Sequence, residues 1–498
     1  MPKINTENNI LNKLLRIGVT ILLIAIPLYP KFPIINIPDT YVAIRLEDFL
    51  IAIVTLVWLI KYQSKIIGFF QQPITKLIAI FWLIGLISLI SALLITQTIE
   101  PHIALFHTLR RIEYMIVFLI TLSTIKSTID IKYYLQVIFL TAFLIFVYGL
   151  GQKFFQFPII STMNQEYSKG LALYVMHGGR INSTFAGHYD LAAYTVLLLN
   201  IIIVVLVVSK KIIAKLGYLI LFITIYWLLL VSSSRISFAA YLGSIIFTLI
   251  LLKKKLWIIP VVIMSLLTFR FTPSLFNRYS EVFEYEFAPR FAALDIFKFK
   301  SSQPSQIALA PTSTPTPKPS IAPTSTGVIP QIQGGIAAIP TPTRGPRQPR
   351  WIEEIPPPLE DRSTSIRFNA EWPRAVRAFL KNPLLGTGYS SITLATDNDF
   401  LRLLGEVGLL GFLAFGLIFL TLFNKLKSTI FKWPIDQNQA LIIGLTGAVI
   451  GFFANSVFID VFEASKVATY FWMLLAIMVG TIGLLPNKSH MKTDKSLN

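Results

Sequence analysis

Long apolar segments recur along the whole sequence, and they constrain the fold more than any other feature of the chain. A helix needs about 20 apolar residues to cross the roughly 30 Å hydrocarbon core of a bilayer, and most of the segments reach that length. Only 14% of the residues are charged, whereas soluble domains carry about 25%. The pattern predicts an all-α fold, a polytopic transmembrane helical bundle of about 12 spans.

The predicted spans divide the chain into four regions, with a large extracytoplasmic loop between spans 9 and 10. The spans cover residues 17–36, 43–60, 77–97, 108–125, 133–156, 187–208, 214–233, 235–252, 256–271, 402–424, 438–460 and 467–485. The regions are an N-terminal membrane region of about nine spans (1–271), the loop (272–401), a C-terminal membrane region of about three spans (402–485) and a tail (486–498).

The positive charges predict the orientation of the bundle. With the N-terminus placed in the cytoplasm, the inner loops and tails hold 20 lysines and arginines, and the short outer segments hold 9. Positive residues accumulate in the short cytoplasmic loops of membrane proteins, so both termini are predicted to be cytoplasmic. The net charge of +19 lies in the loops between spans, which indicates topology signals and an anionic ligand rather than nucleic acid.

The type of positive residue also differs between the two sides. Of the 20 inner charges 19 are lysines, whereas 5 of the 9 short outer charges are arginines. Arginine binds phosphate through a planar fork of paired hydrogen bonds, so the outer face is predicted to bind a phosphorylated group. For a single arginine, pairing with a carboxylate is an equal alternative, as between Arg45 and Glu47 or Asp48. The chain has no cysteine, which excludes disulfides and thiolate chemistry.

Residues 301–350 form a low-complexity segment within the long outer loop. The segment holds 11 prolines and 13 serines or threonines, and it holds neither aspartate nor glutamate. Such a composition favours extended chain and cannot build a packed core. The segment is therefore predicted to be a disordered insertion without a catalytic role.

A helical pattern begins at Pro373, after the insertion. Apolar residues form one face, and the opposite face carries Arg374, Arg377 and Lys381. Proline suits the first position of a helix, and an amphipathic helix of this kind is predicted to lie on the outer membrane surface.

The stretch "TDNDFLRLLGEVGLLG" (396–411) places four polar residues directly before an apolar run. Thr396 and Asp399 fit a capping box, and Asp397 or Asn398 also suits the cap position. A helix that begins here directs the positive end of its dipole to the outer face, where an anionic group would be stabilised. Glycines recur every three residues in this stretch and favour close helix packing; they are Gly405, Gly408 and Gly411.

Four stretches, in this order, resemble motifs of the O-antigen ligase and O-antigen polymerase superfamily of bacterial membrane glycosyltransferases. They are "RINSTFAGHYDLAAY" (180–194), "SSSRISFAAYLG" (232–243), "NPLLGTGYSS" (382–391) and "TDNDFLRLLGEVGLLG" (396–411). The segment "YVAIRLEDFLI" (41–51) is also similar to the one before the second span of the family. The order of the motifs and their placement around one large outer loop make the resemblance specific, and it covers nearly the whole chain apart from the insertion.

The resemblance implies an activity, a location and a set of partners. Members of this superfamily transfer a glycan from undecaprenyl diphosphate to an acceptor hydroxyl on the outer face of the cytoplasmic (inner) membrane. The implied acceptor is a glycan, a lipid or a protein, and the implied transfer inverts the anomeric centre and uses no cofactor and no metal. Both the ligase and the polymerase remain open.

The resemblance also implies which residues form the site. The expected diphosphate ligands are Arg180, Arg235 and, as a looser match, Arg367. Where ligases usually carry a histidine, this chain carries Asp397, which is expected to be the base or to orient the acceptor hydroxyl. His188 is the second candidate base. The expected glycan ligands are Asp190, Asn398 and Tyr389.

Two other classes of function compete with the enzyme. A flippase for lipid-linked oligosaccharides would carry ionisable residues in the middle of its spans and internal repeats. In this sequence no repeat is evident and the charges cluster at the outer ends of the spans, which favours the enzyme. A non-catalytic assembly scaffold remains a third alternative.

Overall fold

The structure of the chain, a computed structural model, describes residues 6–30, 32–36, 43–160, 172–175, 179–271, 365–392, 395–430 and 435–485. All of them belong to one of the two units of the chain, which is formed by residues 1–282 and 361–498. The predicted disordered insertion 301–350 and the tail 486–498 lie outside the described residues.

Helices dominate the described part of the chain, and the strands within it are short antiparallel pairs, β1 with β2 and β3 with β4. The first half contains α1 (Thr6–Leu28), β1 (Pro33–Asn36), β2 (Ala43–Arg45), α2 (Leu46–Tyr62), α3 (Ile66–Phe69), α4 (Pro73–Ser91), α5 (Pro101–Thr124), α6 (Thr128–Phe154), β3 (Ile159–Ile160), β4 (Ala172–Leu173) and α7 (His188–Val208). The second half contains α8 (Ile212–Ser232), α9 (Arg235–Leu251), α10 (Ile258–Phe271), α11 (Trp372–Lys381), α12 (Asp399–Ile430), α13 (Gln437–Ser456) and α14 (Ser465–Gly483). Short π-helical turns, Ala92–Thr96 and Arg367–Glu371, extend α4 and precede α11, and a 3-10 turn, Lys255–Trp257, precedes α10.

The helices agree with the predicted spans in position. Each predicted span overlaps one helix, from α1 to α14. Among the described residues, 8 helices are long and apolar enough to cross a membrane, and α9 and α10 are shorter apolar helices. The predicted helical multi-pass membrane protein is therefore confirmed, and the number of 12 spans stays a prediction.

The predicted boundaries of the first span are wrong. Helix α1 begins at Thr6 and ends at Leu28, whereas the span was expected over residues 17–36. Pro30 and Pro33 lack the N–H group that a continuing helix requires. The chain instead forms β1, which pairs with β2 directly before α2.

Helix α7 lies inside the bundle and α13 packs closely against it. In the apolar segment of α7, 89% of the residues are buried inside the bundle, whereas in that of α8 the share is 33%. On α13, Gly444 lies against Val204 and Gly451 lies against Val196, so that an added Cβ atom would contact these side chains. Gly444 precedes Gly451 in the sequence, but the valine that it contacts follows the valine that Gly451 contacts. The two helices therefore run antiparallel. The C-terminal end of α13 therefore lies beside the N-terminal end of α7.

Helix α12 is broken at Gly408, where the backbone has a φ of +66° and a ψ of −170°. The segment that follows α11 fills the break. The amide of Leu409 donates to the carbonyl of Pro383 at 2.8 Å, and the amide of Gly388 donates to the carbonyl of Glu406 at 2.8 Å. These bonds satisfy backbone groups that the break would otherwise leave unpaired inside the bundle.

Two glycines face each other at this break. A Cβ atom on Gly408 would overlap the backbone of Leu384, and one on Gly386, where φ is +69°, would overlap the backbone of Glu406. The packing role predicted for the three glycines of α12 therefore needs a correction at Gly408, because glycine is required there for its backbone conformation and for the inserted segment. The motif "NPLLGTG" and the motif around "GEVG" form one structural unit.

Candidate functional site

The N-terminal end of α12 is held by two side chains. Asn398 is the cap, since its Oδ1 accepts a hydrogen bond from the amide of Leu401 at 2.9 Å. Asp460, in the turn between α13 and α14, accepts hydrogen bonds from the amides of Thr396 at 2.8 Å and Asn398 at 3.1 Å. The capping box expected from Thr396 and Asp399 does not form, because the Asp399 carboxylate accepts from the amide of Phe462 instead.

The turn with Asp460 also corrects the eleventh predicted span. That span was expected over residues 438–460, but α13 ends at Ser456. The amides of Phe458 and Ile459 both donate to the carbonyl of Asn455 at 2.9 Å, which turns the chain out of the helix. The turn is what brings the Asp460 carboxylate to the start of α12.

Arg367 and Asp397 form the central pair of the site. The Asp397 Oδ2 atom accepts hydrogen bonds from Arg367 Nε at 2.9 Å and from Arg367 Nη2 at 2.7 Å. Arg367 is 6% exposed, whereas the Asp397 side chain keeps 30% of its surface exposed. Burial raises the pKa of the Asp397 carboxyl, and Asp460 raises it further, against the lowering effect of Arg367. A partly exposed carboxylate beside a buried cation is therefore accessible to a polar group from outside the protein.

Glu371 is a further carboxylate at this site, and sequence reasoning missed it. It ends the π-helical turn that Arg367 begins. The pKa of Glu371 is raised to about 7, because burial and the neighbouring carboxylates of Asp397 and Asp460 raise it more than Arg367 and Arg374 lower it. The sequence gives no signal for this residue, because its environment comes from segments that are distant along the chain.

At the N-terminal end of α7, Arg180 and His188 are hydrogen-bonded. Arg180 Nη1 lies 2.9 Å from His188 Nε2. Arginine only donates, so the imidazole nitrogen accepts, and its lone pair is occupied by the guanidinium. This geometry gives His188 the role of holding Arg180. Asp190 lies in the first turn of the same helix, with a half-buried side chain.

Arg235 is the first residue of α9, and its helix begins beside the end of α13. The cap of α9 is Ser234, which accepts from the amide of Ser237 at 3.3 Å. Ser237 Oγ donates to Asn455 Oδ1 at 2.6 Å, which ties this end of α9 to the end of α13. The turn that follows α13 carries Asp460 to the start of α12. The structure thus brings the N-terminal ends of α7, α9 and α12, with all the predicted arginines, to the same end of the bundle.

The loop before α7 is fixed by a buried lysine. Lys466 is 1% exposed and donates to the carbonyls of Pro27 at 3.4 Å, Thr184 at 2.7 Å and Tyr29. The sequence analysis counted Lys466 among the outer charges, and the structure shows that it also joins α1, α14 and the segment that carries Arg180.

The structure buries Tyr389, which was expected to bind glycan. The side chain is 2% exposed, with its ring beside Gly85 of α4 and 5.4 Å from the Arg111 guanidinium. A ring enclosed in this way has a packing role, and its contact with glycan stays a prediction. Another group of aromatic rings is formed by Trp372, which packs against Phe368 with ring centroids 4.5 Å apart and against Phe458 with centroids 6.0 Å apart.

A second group of charged side chains surrounds Arg402 in the first turn of α12, and the sequence analysis did not predict it. Arg402 lies 3.7 Å from Asp460 and 3.8 Å from both Glu406 and Glu463. Arg111 of α5 pairs with Glu463 and donates to the carbonyl of Phe462 at 3.0 Å. The signal was present, since Arg402 and Glu406 stand four residues apart in an apolar helix, where ionisable residues are costly. These pairs hold the turn that carries Asp460.

Among the described residues, no three histidine, aspartate or glutamate side chains are grouped so that they would hold a metal ion.

Residues 217–416, less than half of the chain, match the family model described as O-antigen ligase. This match confirms the resemblance predicted from the motifs, and it indicates glycosyl transfer of the O-antigen ligase type by a membrane enzyme. It gives no support to the flippase alternative. Curated proteins give no match to this chain.

Proposed function

We propose, from the O-antigen ligase resemblance and the geometry at the start of α12, that the chain transfers a glycan from undecaprenyl diphosphate to an acceptor hydroxyl. The reaction would take place on the outer face of the cytoplasmic membrane, with both termini of the chain inside. The observation that carries the proposal is the pair of hydrogen bonds from Arg367 to the partly exposed Asp397 carboxylate, at the end of the bundle where Arg180 and Arg235 also lie. A cation and a carboxylate side by side suit a reaction in which a negative leaving group departs and a hydroxyl loses a proton.

The arginines are assigned to the donor. The diphosphate leaves with the electron pair of the glycosidic bond, so cations positioned around it lower the energy of the transition state. Arg180 is held by His188, and a guanidinium with a fixed orientation loses less entropy when it binds phosphate. Arg235 begins α9, where the N-terminal end of the helix adds a partial positive charge. Arg367 contributes to the same positive region.

Asp397 is assigned to the acceptor. Its carboxylate is separate from the cap, which Asn398 provides, and its backbone has a φ of +49°. The carboxylate would orient the acceptor hydroxyl or take its proton. His188 is the weaker candidate base, because its Nε2 atom accepts from Arg180.

The glycan itself would contact polar groups and aromatic rings at this end of the bundle. Asn398 uses its side-chain oxygen for the cap, and its amide nitrogen is the group that could donate to a sugar. Asp190, in the first turn of α7, is a second glycan ligand. Trp372, with Phe368 and Phe458, offers a surface on which sugar rings can stack.

An assay of membranes with a lipid-linked glycan donor tests the proposal against its alternatives. An enzyme consumes the donor, a flippase moves it across the bilayer without consuming it, and a scaffold does neither. We expect consumption of the donor with appearance of a new glycan linkage. Glycan analysis of cells with and without the gene then separates a polymerase, which produces a ladder of lengths, from a ligase, which attaches the glycan to a different acceptor.

A further inference from the structure

Glu371 and Asp397 have different environments although they lie at one site. Both hydrogen bonds from Arg367 go to a single oxygen of Asp397, so that the ionised form of Asp397 is stabilised. By contrast, the Oε2 atom of Glu371 is buried and has no hydrogen-bond partner among the described residues.

An unpartnered buried carboxylate oxygen is costly, because it has lost its water without gaining a donor. Where such a group is retained beside a reaction centre, the missing donor is a group that arrives with the substrate. An acceptor hydroxyl is a donor of the required kind. The neighbouring Arg374 also has a buried nitrogen, Nη1, without a hydrogen-bond partner, so an acceptor and a donor at this site both lack a partner among the described residues.

We propose that Glu371 is the general base of the transfer, and that Asp397, held by Arg367, orients the acceptor hydroxyl. This inference rests on the proposed function and assigns one further residue to that reaction.

The step balances in atoms and charge. A lone pair of the acceptor oxygen forms a bond to the anomeric carbon of the donor, and the bond from that carbon to the diphosphate oxygen breaks with its electron pair. The proton of the hydroxyl passes to Glu371, which becomes a neutral carboxylic acid. The diphosphate leaves with its charge among the arginines. Glu371 returns its proton to water before the next transfer.

The charges that face Glu371 suit this role. The carboxylates of Asp397 and Asp460 and the guanidinium groups of Arg367 and Arg374 come from three segments of the chain. Burial and the two carboxylates together raise the pKa of Glu371 to about 7, against the two arginines. A base works best when its pKa lies near the working pH, since it is then largely ionised and still binds a proton well.

The test is the pH dependence of transfer in full-length protein with a lipid-linked donor. Because the base must be ionised, the rate in the unmodified protein should rise with pH through about 7 and then level off. Glu371→Gln should lower the rate by about 10²- to 10⁴-fold and abolish this rise. Glu371→Asp should restore part of the rate and the pH dependence. Glu100→Gln, at an exposed glutamate before α5, is the matched control and should match the unmodified protein.

Asp397→Asn distinguishes the two carboxylates. Removal of the Asp397 charge should move the rise of the remaining activity to lower pH, because Glu371 loses a negative neighbour. An unshifted rise in this variant, or a Glu371→Gln protein whose rate stays within a few-fold, would overturn the inference.

An infrared titration gives a readout that does not need the donor. The band of a protonated carboxyl group should disappear as the pH rises through about 7, and Glu371→Gln should lack it. Absence of that band in the unmodified protein would refute the inference even if Glu371→Gln fails to fold. If the unmodified protein does not consume the donor, the proposed function fails, whereas an active unmodified protein with an active Glu371→Gln variant refutes only the role of Glu371.

Discussion

Arg367 donates two hydrogen bonds to one carboxylate oxygen of Asp397, although the two residues are 30 positions apart in the sequence. The arginine is buried and the aspartate is partly exposed, so the charge of a buried guanidinium is neutralised by a carboxylate that solvent can still reach. A buried guanidinium without this partner would be costly. The pair therefore fixes both the loop before α12 and the carboxylate assigned to the acceptor.

Asp397→Asn should fold and should lose most of its activity. Asparagine tolerates the positive φ of +49°, and the cap by Asn398 is not touched. Loss of a carboxylate that contacts the acceptor should lower transfer by about 10²-fold or more in a donor-consumption assay. Asp436→Asn, at the cap of α13, is the matched control, because asparagine caps about as well as aspartate. A stable and fully active Asp397→Asn protein would make Asp397 a structural residue and His188 the next to test.

Arg180→Lys and Arg235→Lys should restore little activity relative to the alanine variants. Lysine keeps the charge but loses the fork that binds phosphate through two hydrogen bonds. We expect a loss of donor binding, measured with the lipid-linked donor at several salt concentrations. Arg377→Lys, at an exposed position of α11, should behave as the unmodified protein does. Full activity of both lysine variants would leave only a general electrostatic role, and full activity of both alanine variants would exclude the two arginines from the site.

Gly408→Ala should destabilise the protein severely, whereas Gly416→Ala in the same helix should not. At Gly408 the positive φ and the overlap with the Leu384 backbone act together, and strain alone costs about 1–3 kcal/mol. Nothing lies within 4 Å of an added Cβ atom at Gly416, where alanine favours the helix by about 1 kcal/mol. Thermal unfolding in detergent measures both effects. Equal stability of the two variants would contradict the broken helix.

The low-complexity insertion should be dispensable for transfer. Its composition cannot build a packed site, and the cost of closing a loop changes slowly with length. Replacement of residues 303–348 by a short Gly/Ser linker should leave the rate of transfer within a few-fold by that reasoning. Complete loss of activity in a well-expressed deletion would instead indicate that the segment binds an acceptor or a partner.

The orientation of the chain can be measured by labelling a single cysteine at Ser313, since the sequence contains no other. The excess of lysine on one side predicts that residues 272–399 lie outside the cytoplasm. A membrane-impermeant thiol reagent should therefore label the cysteine at position 313 in cells whose cytoplasmic membrane is intact and whose outer envelope layers have been removed. Labelling that requires permeabilisation of the inner membrane would reverse the predicted topology.

The sequence by itself determined the class of fold and predicted where the site lies. Apolar segments of about 20 residues depend only on local composition, which is why each predicted span overlaps a helix. Proline and glycine mark where the chain must leave a helix, but not where it goes next, so that the strand pair after α1 was missed. The motifs also predicted that Arg180, Arg235 and Asp397 lie on the same side of the membrane, because the segments that carry them flank the outer ends of predicted spans.

Only the tertiary structure decided which of these residues meet. The cap at Asn398 prevailed over Thr396 because Asp460, 62 and 64 positions away, binds the amides of Asn398 and Thr396. The same fold buries Glu371 beside two carboxylates, and together these raise its pKa to about 7 against the lowering effect of two arginines. Such properties arise from burial and from charges on distant segments, and neither is encoded in the residues next to the group that they affect.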